Sequence, residues 1–219
     1  MGLFDKKYCD ICGEKIGLLG NRKLDDGNLC KECAQKMSPW FEERRHSTVE
    51  DIKQQLEYRE ANKEKVQNFR ITRRITTKKY TVFLDETQGN FTIAHNLDTK
   101  ENPDILSLSD VVQCNMDVKQ DRIEETYTKD GKTVSYQPPV YKYEYYYSMK
   151  IQVRSPWFDD MDFQLHSFAI EQENRAEMME MERVGNEIIA ALTGQAPRMQ
   201  SGMSMNQGMN QGMSYGMNQ

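Results

Sequence analysis

No stretch of this chain is apolar for long enough to cross a bilayer. The longest such runs, Ile16–Gly20 and Ile188–Leu192, fall far short of the ~18 residues a spanning helix needs. The opening Met-Gly-Leu-Phe-Asp-Lys-Lys lacks the apolar segment of a secretory signal. A soluble cytoplasmic protein with no transmembrane segment is therefore expected. Histidine is scarce: His46, His95 and His166 stand on separate segments, none with a partner at motif spacing. Phosphate-binding loops, nucleophile elbows, His-Glu-x-x-His helices and dinucleotide fingerprints are all absent. These gaps predict a protein that is not an enzyme, with no catalytic residues.

Apolar residues are also few, at 37% of 219. The shortfall is local, because Gln195–Gln219 is almost entirely Met, Asn, Gln, Gly and Ser. The preceding ~195 residues are ordinary enough to bury a core. Charge divides the chain as well. Residues 1–79 hold 18 Lys/Arg against 13 Asp/Glu, whereas 80–219 hold 11 against 21. The first part is thus the one suited to an anionic partner.

What the chain does have is a cysteine pattern. Cys9-x2-Cys12 is followed, after seventeen residues, by Cys30-x2-Cys33. Two such pairs read as a four-thiolate site for one Zn2+, since two intervening residues let a tight turn aim both sulfurs at one ion. Gly13 permits the backbone bend, and Asp26-Gly27 offers a hairpin turn between the pairs. Helix-forming residues follow the second pair, which makes the order knuckle, hairpin, helix that of a treble-clef finger. Iron in a rubredoxin-like site would carry a glycine where Ala34 stands, and disulfides suit an oxidising compartment. A reversible thiol switch is compatible with four releasable thiols, but nothing in the sequence demands it. Four protein ligands leave no open position for water, so the zinc is expected to be structural. Lys6, Lys7, Lys31 and Lys36 would offset the negative charge of a tetrathiolate.

Cys9-Asp-Ile-Cys12-Gly13-Glu14, the Leu24-Asp-Asp-Gly27 turn and Cys30-Lys-Glu-Cys33 resemble the module at the start of bacterial proteins in the domain of unknown function family 4428. The resemblance covers roughly residues 8–55 and implies a zinc-binding bacterial protein of open function.

Beyond the finger, Ser38-Pro39 can start a short helix, and Ser47-Thr-Val-Glu50 reads as a capping box. Val49, Ile52, Leu56, Val66 and Phe69 follow helical spacing, thin between 57 and 65, so a helix over about 48–68 should link the finger to the rest. Lys63, Lys65, Arg70, Arg73, Arg74, Lys78 and Lys79 form a basic run that reads either as an anion-binding patch or as a solvated helix end and edge strand.

From residue 70 the apolar period becomes two. Tyr141–Val153 places an apolar or aromatic residue at every odd position, which predicts a long strand with one buried face. Val112, Cys114, Met116 and Val118 share a face of another, where Cys114 is expected to be a buried inert thiol. Asp130-Gly131 marks the tip of a protruding hairpin within 122–139. A helix over about 168–193 ends at Gly194. Six or seven antiparallel strands and a closing helix resemble a pleckstrin-homology-like barrel plugged by its C-terminal helix. A two-layer sheet with the helix on one face is the alternative.

The expected fold class is α+β. Its parts are a treble-clef zinc module (1–46), a linker helix (47–69), a pleckstrin-homology-like β domain (70–194) and a disordered Met/Asn/Gln/Gly tail (195–219). Spaced thioethers in that tail suit copper(I), though a sticky segment for self-association is the simpler reading. The function expected is that of a zinc-stabilised interaction protein, with a protein partner or self-association. The other reading is a binder of nucleic acid or acidic membrane through the finger and residues 63–79.

Overall fold

The computed structural model describes residues 6–195, so the expectations for the tail lie outside the described residues apart from Gln195. The first four strands are two residues each and form two hairpins. β1 (Lys7–Tyr8) pairs with β2 (Lys15–Ile16), and β3 (Arg22–Lys23) pairs with β4 (Asn28–Leu29). A five-residue helix, α1 (Lys31–Gln35), follows. Ladders this short cannot stand alone in water. They lie over a small cluster of Ile16, Leu24, Leu29, Met37 and three of the cysteines, completed by Ile52 from the next helix.

That helix, α2 (Val49–Asn68), begins one residue later than the Ser47–Glu50 box implies. The Thr48 hydroxyl accepts from the Asp51 N–H, and the Asp51 carboxylate accepts from the Thr48 N–H. Ser47 instead donates its hydroxyl to the Glu43 carbonyl. The hairpin turn supplies a further cap, because Asp26 accepts from the Val49 N–H at 2.7 Å. Gly27 makes room for this: a Cβ there would stand 2.5 Å from the Val49 side chain and 2.8 Å from Asp10. Ser38-Pro39 starts a turn, not a helix; Ser38 is buried and bonded to Asp104. The inward stripe of α2 is Ile52, Gln55, Arg59, Asn62 and Val66. Polar side chains therefore occupy the stretch where the apolar stripe thins.

Strands β5 (Arg73–Thr76), β6 (Thr81–Asp85), β7 (Asn90–Ala94) and β8 (Leu106–Ser107) form an antiparallel sheet in sequence order. The second sheet is built on two long strands, β9 (Val111–Glu124) and a partner it meets after an excursion. The excursion is the hairpin β10 (Thr126–Lys129) and β11 (Lys132–Ser135), whose tip residues Asp130 and Gly131 both have positive φ, as a type I′ turn requires. The partner, β12 (Tyr141–Val153), pairs with β9 along nearly its whole length. On its other edge it takes β13 (Phe163–Gln164) and β14 (Ile170–Glu171). The last element among the described residues is α3 (Arg175–Thr193), capped by Asn174 and by Gly194 in the left-handed region. This helix begins seven residues later than the expected 168, because Ile170 is drawn into pairing with Tyr145.

The fold is mixed α and β, with three α-helices and several antiparallel sheets among the described residues. None of the sheets closes into a barrel, which corrects the pleckstrin-homology-like expectation. β8, β13 and β14 are each two residues long, too short to carry a ladder from one sheet to the other. A single backbone bond, Lys78 N–H to the Leu165 carbonyl, spans the gap there. The core lies between the sheets and α3 and includes Val82, Phe91, Tyr147, Ile151, Phe163 and Ile188. The buried face of β12 runs only from Tyr147 onward; Tyr141, Tyr143 and Tyr145 lie where the β9–β12 ribbon leaves the core. Cys114, opposite Ile151, is buried, while Val118 is exposed and so is Val112, which stands at the β-bulge facing Gln152 and Val153. α3 approaches this ribbon at Gly185, where a Cβ would run into the Met116 sulfur.

Candidate metal centre

The two knuckle turns bring Cys9, Cys12, Cys30 and Cys33 together, with all four Sγ atoms within 4.8 Å of one another. Cys9 closes β1, and Cys12 follows in a tight turn. There the Gly13 N–H returns to the Cys9 carbonyl at 2.8 Å with φ +76° at the glycine. Cys30 ends β4 and serves as N-cap of α1, its sulfur accepting from the Cys33 N–H at 3.3 Å. The Cys30 N–H in turn donates to the Cys9 sulfur at 3.3 Å. Asp10 holds the knuckle to the hairpin by accepting from the Asn28 N–H at 2.6 Å.

The Cys12–Cys30 separation of 3.8 Å is far beyond a disulfide bond. It matches the edge of about 3.8 Å in a sulfur tetrahedron with metal–sulfur bonds of about 2.3 Å. Charge points the same way. Burial opposes ionisation of Cys9, but N–H groups of Cys12, Cys30 and Ile11 outweigh it and bring the thiol down to about 7. Cys33 is pushed far up by burial and by the neighbouring thiols. Four crowded sulfurs cannot all ionise without a cation among them, and a thiophilic divalent ion removes that conflict. The donor set therefore fits a metal ion held by Cys9, Cys12, Cys30 and Cys33. Lys6, Lys7, Lys31 and Lys36 are all exposed around it.

Apolar packing alone does not fasten this module to the β sheets. Arg59 on α2 donates from Nε to the Lys36 carbonyl, three residues beyond Cys33, at 3.2 Å. Its Nη1 reaches the Asp104 carboxylate at 2.7 Å, and the other Asp104 oxygen accepts from the Ser38 hydroxyl at 2.8 Å. Asn62 donates to the Pro103 carbonyl and accepts from the Ile105 N–H, while Asn102 donates to the Arg59 carbonyl. Arg59, Asn62, Asn102 and Asp104 are all buried. Burial holds the Asp104 carboxyl above the usual carboxylate range, with Arg59 and Ser38 pulling it back. Flanking aromatic contacts, Trp40 with Tyr80 and Phe41 with Trp157, complete the seam. The only sequence signal for this network is the polar pair at positions 59 and 62, in helical phase with Ile52 and Val66.

The seven basic residues of the 63–79 run are spread over α2, the link after it (Arg70), β5 and the turn before β6. Lys63 pairs with Glu60, and Arg73 pairs with Glu187 at 2.9 Å and Glu86 at 3.9 Å. Lys65, Arg74 and Lys79 lie over the rings of Tyr58, Phe83 and Tyr80. The Arg70 N–H is bound by Asp85, and Lys78 sits in the β5–β6 turn. His95 stacks on Tyr80 and is not joined to Cys114 by any hydrogen bond; His166 meets Glu177 at 2.9 Å. No helix among the described residues is long and apolar enough to cross a membrane.

The family model described as Domain of unknown function (DUF4428) matches residues 7–55, the segment holding the four clustered cysteines and the start of α2. No curated protein and no solved structure matches the chain.

Proposed function

We propose that the chain is a non-enzymatic interaction protein whose finger is held by one structural Zn2+. The closed four-sulfur cluster carries this reading, because it leaves a bound ion no position for water or substrate. Zinc suits four thiolates in a tetrahedron, and reduced thiols suit a cytoplasmic setting. The metal's product is then a rigid module, fastened by Arg59 and Asp104 at a set orientation to the sheets. The surface offered to a protein partner is the free edge of β9. Only β12 pairs with that strand among the described residues, and a groove of about 550 Å3 runs between its first half and α3. Val112, Asn115, Asn186 and Ile189 are among the residues lining it, and none of the lining residues is charged. An extended, uncharged peptide segment added as a further strand fits that surface. Metal analysis of the reduced protein should return one zinc per chain. Affinity purification from the native host should lose its partner when Val112→Lys and Asn186→Lys place charges in the groove; an identical set of captured proteins would sink the reading.

A second reading, an anionic-ligand binder, draws support from the finger. Arg22, Lys23, Arg44, Arg45 and His46 line one depression of about 580 Å3, with Asp25 as its one acid.

A further inference from the structure

Two leucines in the finger have no place in its core. Leu24 and Leu29 are buried, but Leu18 and Leu19 are each 92% exposed, the two most exposed of the large apolar side chains among the described residues. They form the tip of the turn Gly17–Gly20, closed by the Gly20 N–H on the Gly17 carbonyl at 3.0 Å. Ile16, buried just before the turn, anchors its base. The pair is thus held out from the surface by a short, well-tied turn.

The base of that turn is basic. Arg22 donates to the Leu19 carbonyl at 3.4 Å, which seats a guanidinium directly beneath the tip. Arg44 donates to the Lys23 carbonyl at 2.9 Å, bringing the 3-10 segment Glu43–His46 alongside. Arg22, Lys23, Arg44 and Arg45 make no ion pair among the described residues, unlike Lys63 or Arg73. Arg44 is held below the ordinary arginine range by burial and then by repulsion from Arg45 and Arg22, so the cations are crowded even though Asp25 lines the same depression.

We propose that the finger docks on an anionic lipid surface, inserting Leu18 and Leu19 while Arg22, Lys23, Arg44 and Arg45 take the acidic headgroups. Apolar insertion and attraction to acidic lipid reinforce each other at such an interface. The leucines favour a bilayer over nucleic acid, because aliphatic side chains gain nothing on a phosphate backbone and no aromatic ring stands at the tip to stack on a base. This rests on the anionic-ligand reading above and names its partner.

The test is co-flotation of the full zinc-loaded chain with vesicles of phosphatidylcholine alone or with phosphatidylglycerol, beside binding to a DNA duplex and a single-stranded RNA. Binding to the acidic vesicles is expected, falling as salt is raised. Leu18→Ser/Leu19→Ser should reduce partitioning by about tenfold or more, since it removes two inserting apolar side chains. Arg44→Gln/Arg45→Gln should act similarly, and both variants should keep the wild-type zinc content and Tm. Equal binding to neutral vesicles, or acidic-vesicle binding untouched by the leucine variant, overturns the lipid inference. If the nucleic acids bind while the vesicles do not, the anionic reading survives and the lipid inference falls. No binding to vesicle, DNA or RNA removes both.

Discussion

The finger and the β unit solve the same problem with different materials. The finger's buried apolar cluster has eight residues, three of them cysteines, whereas the cluster between the sheets and α3 has twenty-one with one cysteine. Eight side chains cannot offset the ordering of some thirty residues, and an ion held by the four thiols would make up the difference. The β unit needs no such device. Between them lies a third kind of contact, the buried polar seam of Arg59, Asn62, Asn102 and Asp104. A lesson follows for metal-centred modules: the ion organises its own shell, but attachment to a neighbour has to come from side chains outside that shell.

The sharpest way to break this contrast is to remove the metal. Structural zinc is worth on the order of 10–16 kcal/mol in finger peptides. Chelation of the reduced protein should therefore expose residues 7–37 to protease and hydrogen exchange while β12 keeps its protection. Acid should do the same, because four thiolates released from the ion take up protons. If amides of residues 7–37 stayed protected after complete metal loss, the metal-for-core account would be wrong.

Next in size is the seam. Asp104→Ala leaves the Arg59 guanidinium buried and unpaired, and breaking such a pair costs about 3–5 kcal/mol in urea or thermal melts. Arg59→Met combined with Asp104→Leu should recover much of that loss, since neither residue then strands a charge. A double variant as unstable as the single would mean the seam acts by something other than its charges. Because the Asp104 carboxyl lies above its unfolded value, the folded chain takes up that proton more readily. Its ionisation therefore weighs against stability at neutral pH, and the cost is relieved as pH falls through the raised folded value to the unfolded one.

Within the β unit, Gly185→Leu should force Met116 and Leu165 aside, at a cost of about 1–3 kcal/mol by overpacking. An unchanged Tm would show that α3 does not approach β9 as closely as described. Smallest is Thr48→Ala at the N-cap of α2, about 1 kcal/mol. Asp26 already caps the same helix from the finger side, so the loss should grow once metal is removed; equal losses in the two states would separate helix from finger.

The clustering of Cys9, Cys12, Cys30 and Cys33, the hairpin tip at Asp130-Gly131, the cap at Gly194 and the span of α2 were legible because each rests on local chemistry. Thiol spacing, φ preference and helical period need only neighbours along the chain. The barrel was not legible. Alternation in β9 and β12 predicts strands and faces, yet it is silent on whether short strands such as β8 and β13 extend far enough to meet. Nor was the start of α3, where pairing of Ile170 with Tyr145 overrides helical phase across residues 168–174.

By itself the sequence determined that this chain has a four-thiol cluster able to hold a metal ion, a β-rich core and an amphipathic helix after it. Those properties follow from spacing and periodicity within a few residues. Only the tertiary structure decided that α2 is bolted to both sides through Arg59 and Asp104, that the long ribbon leaves the core at Tyr147, and that Leu18 and Leu19 stand over a basic depression. Each depends on residues brought together from distant segments, where burial sets the worth of a charge and exposure decides what a leucine is for.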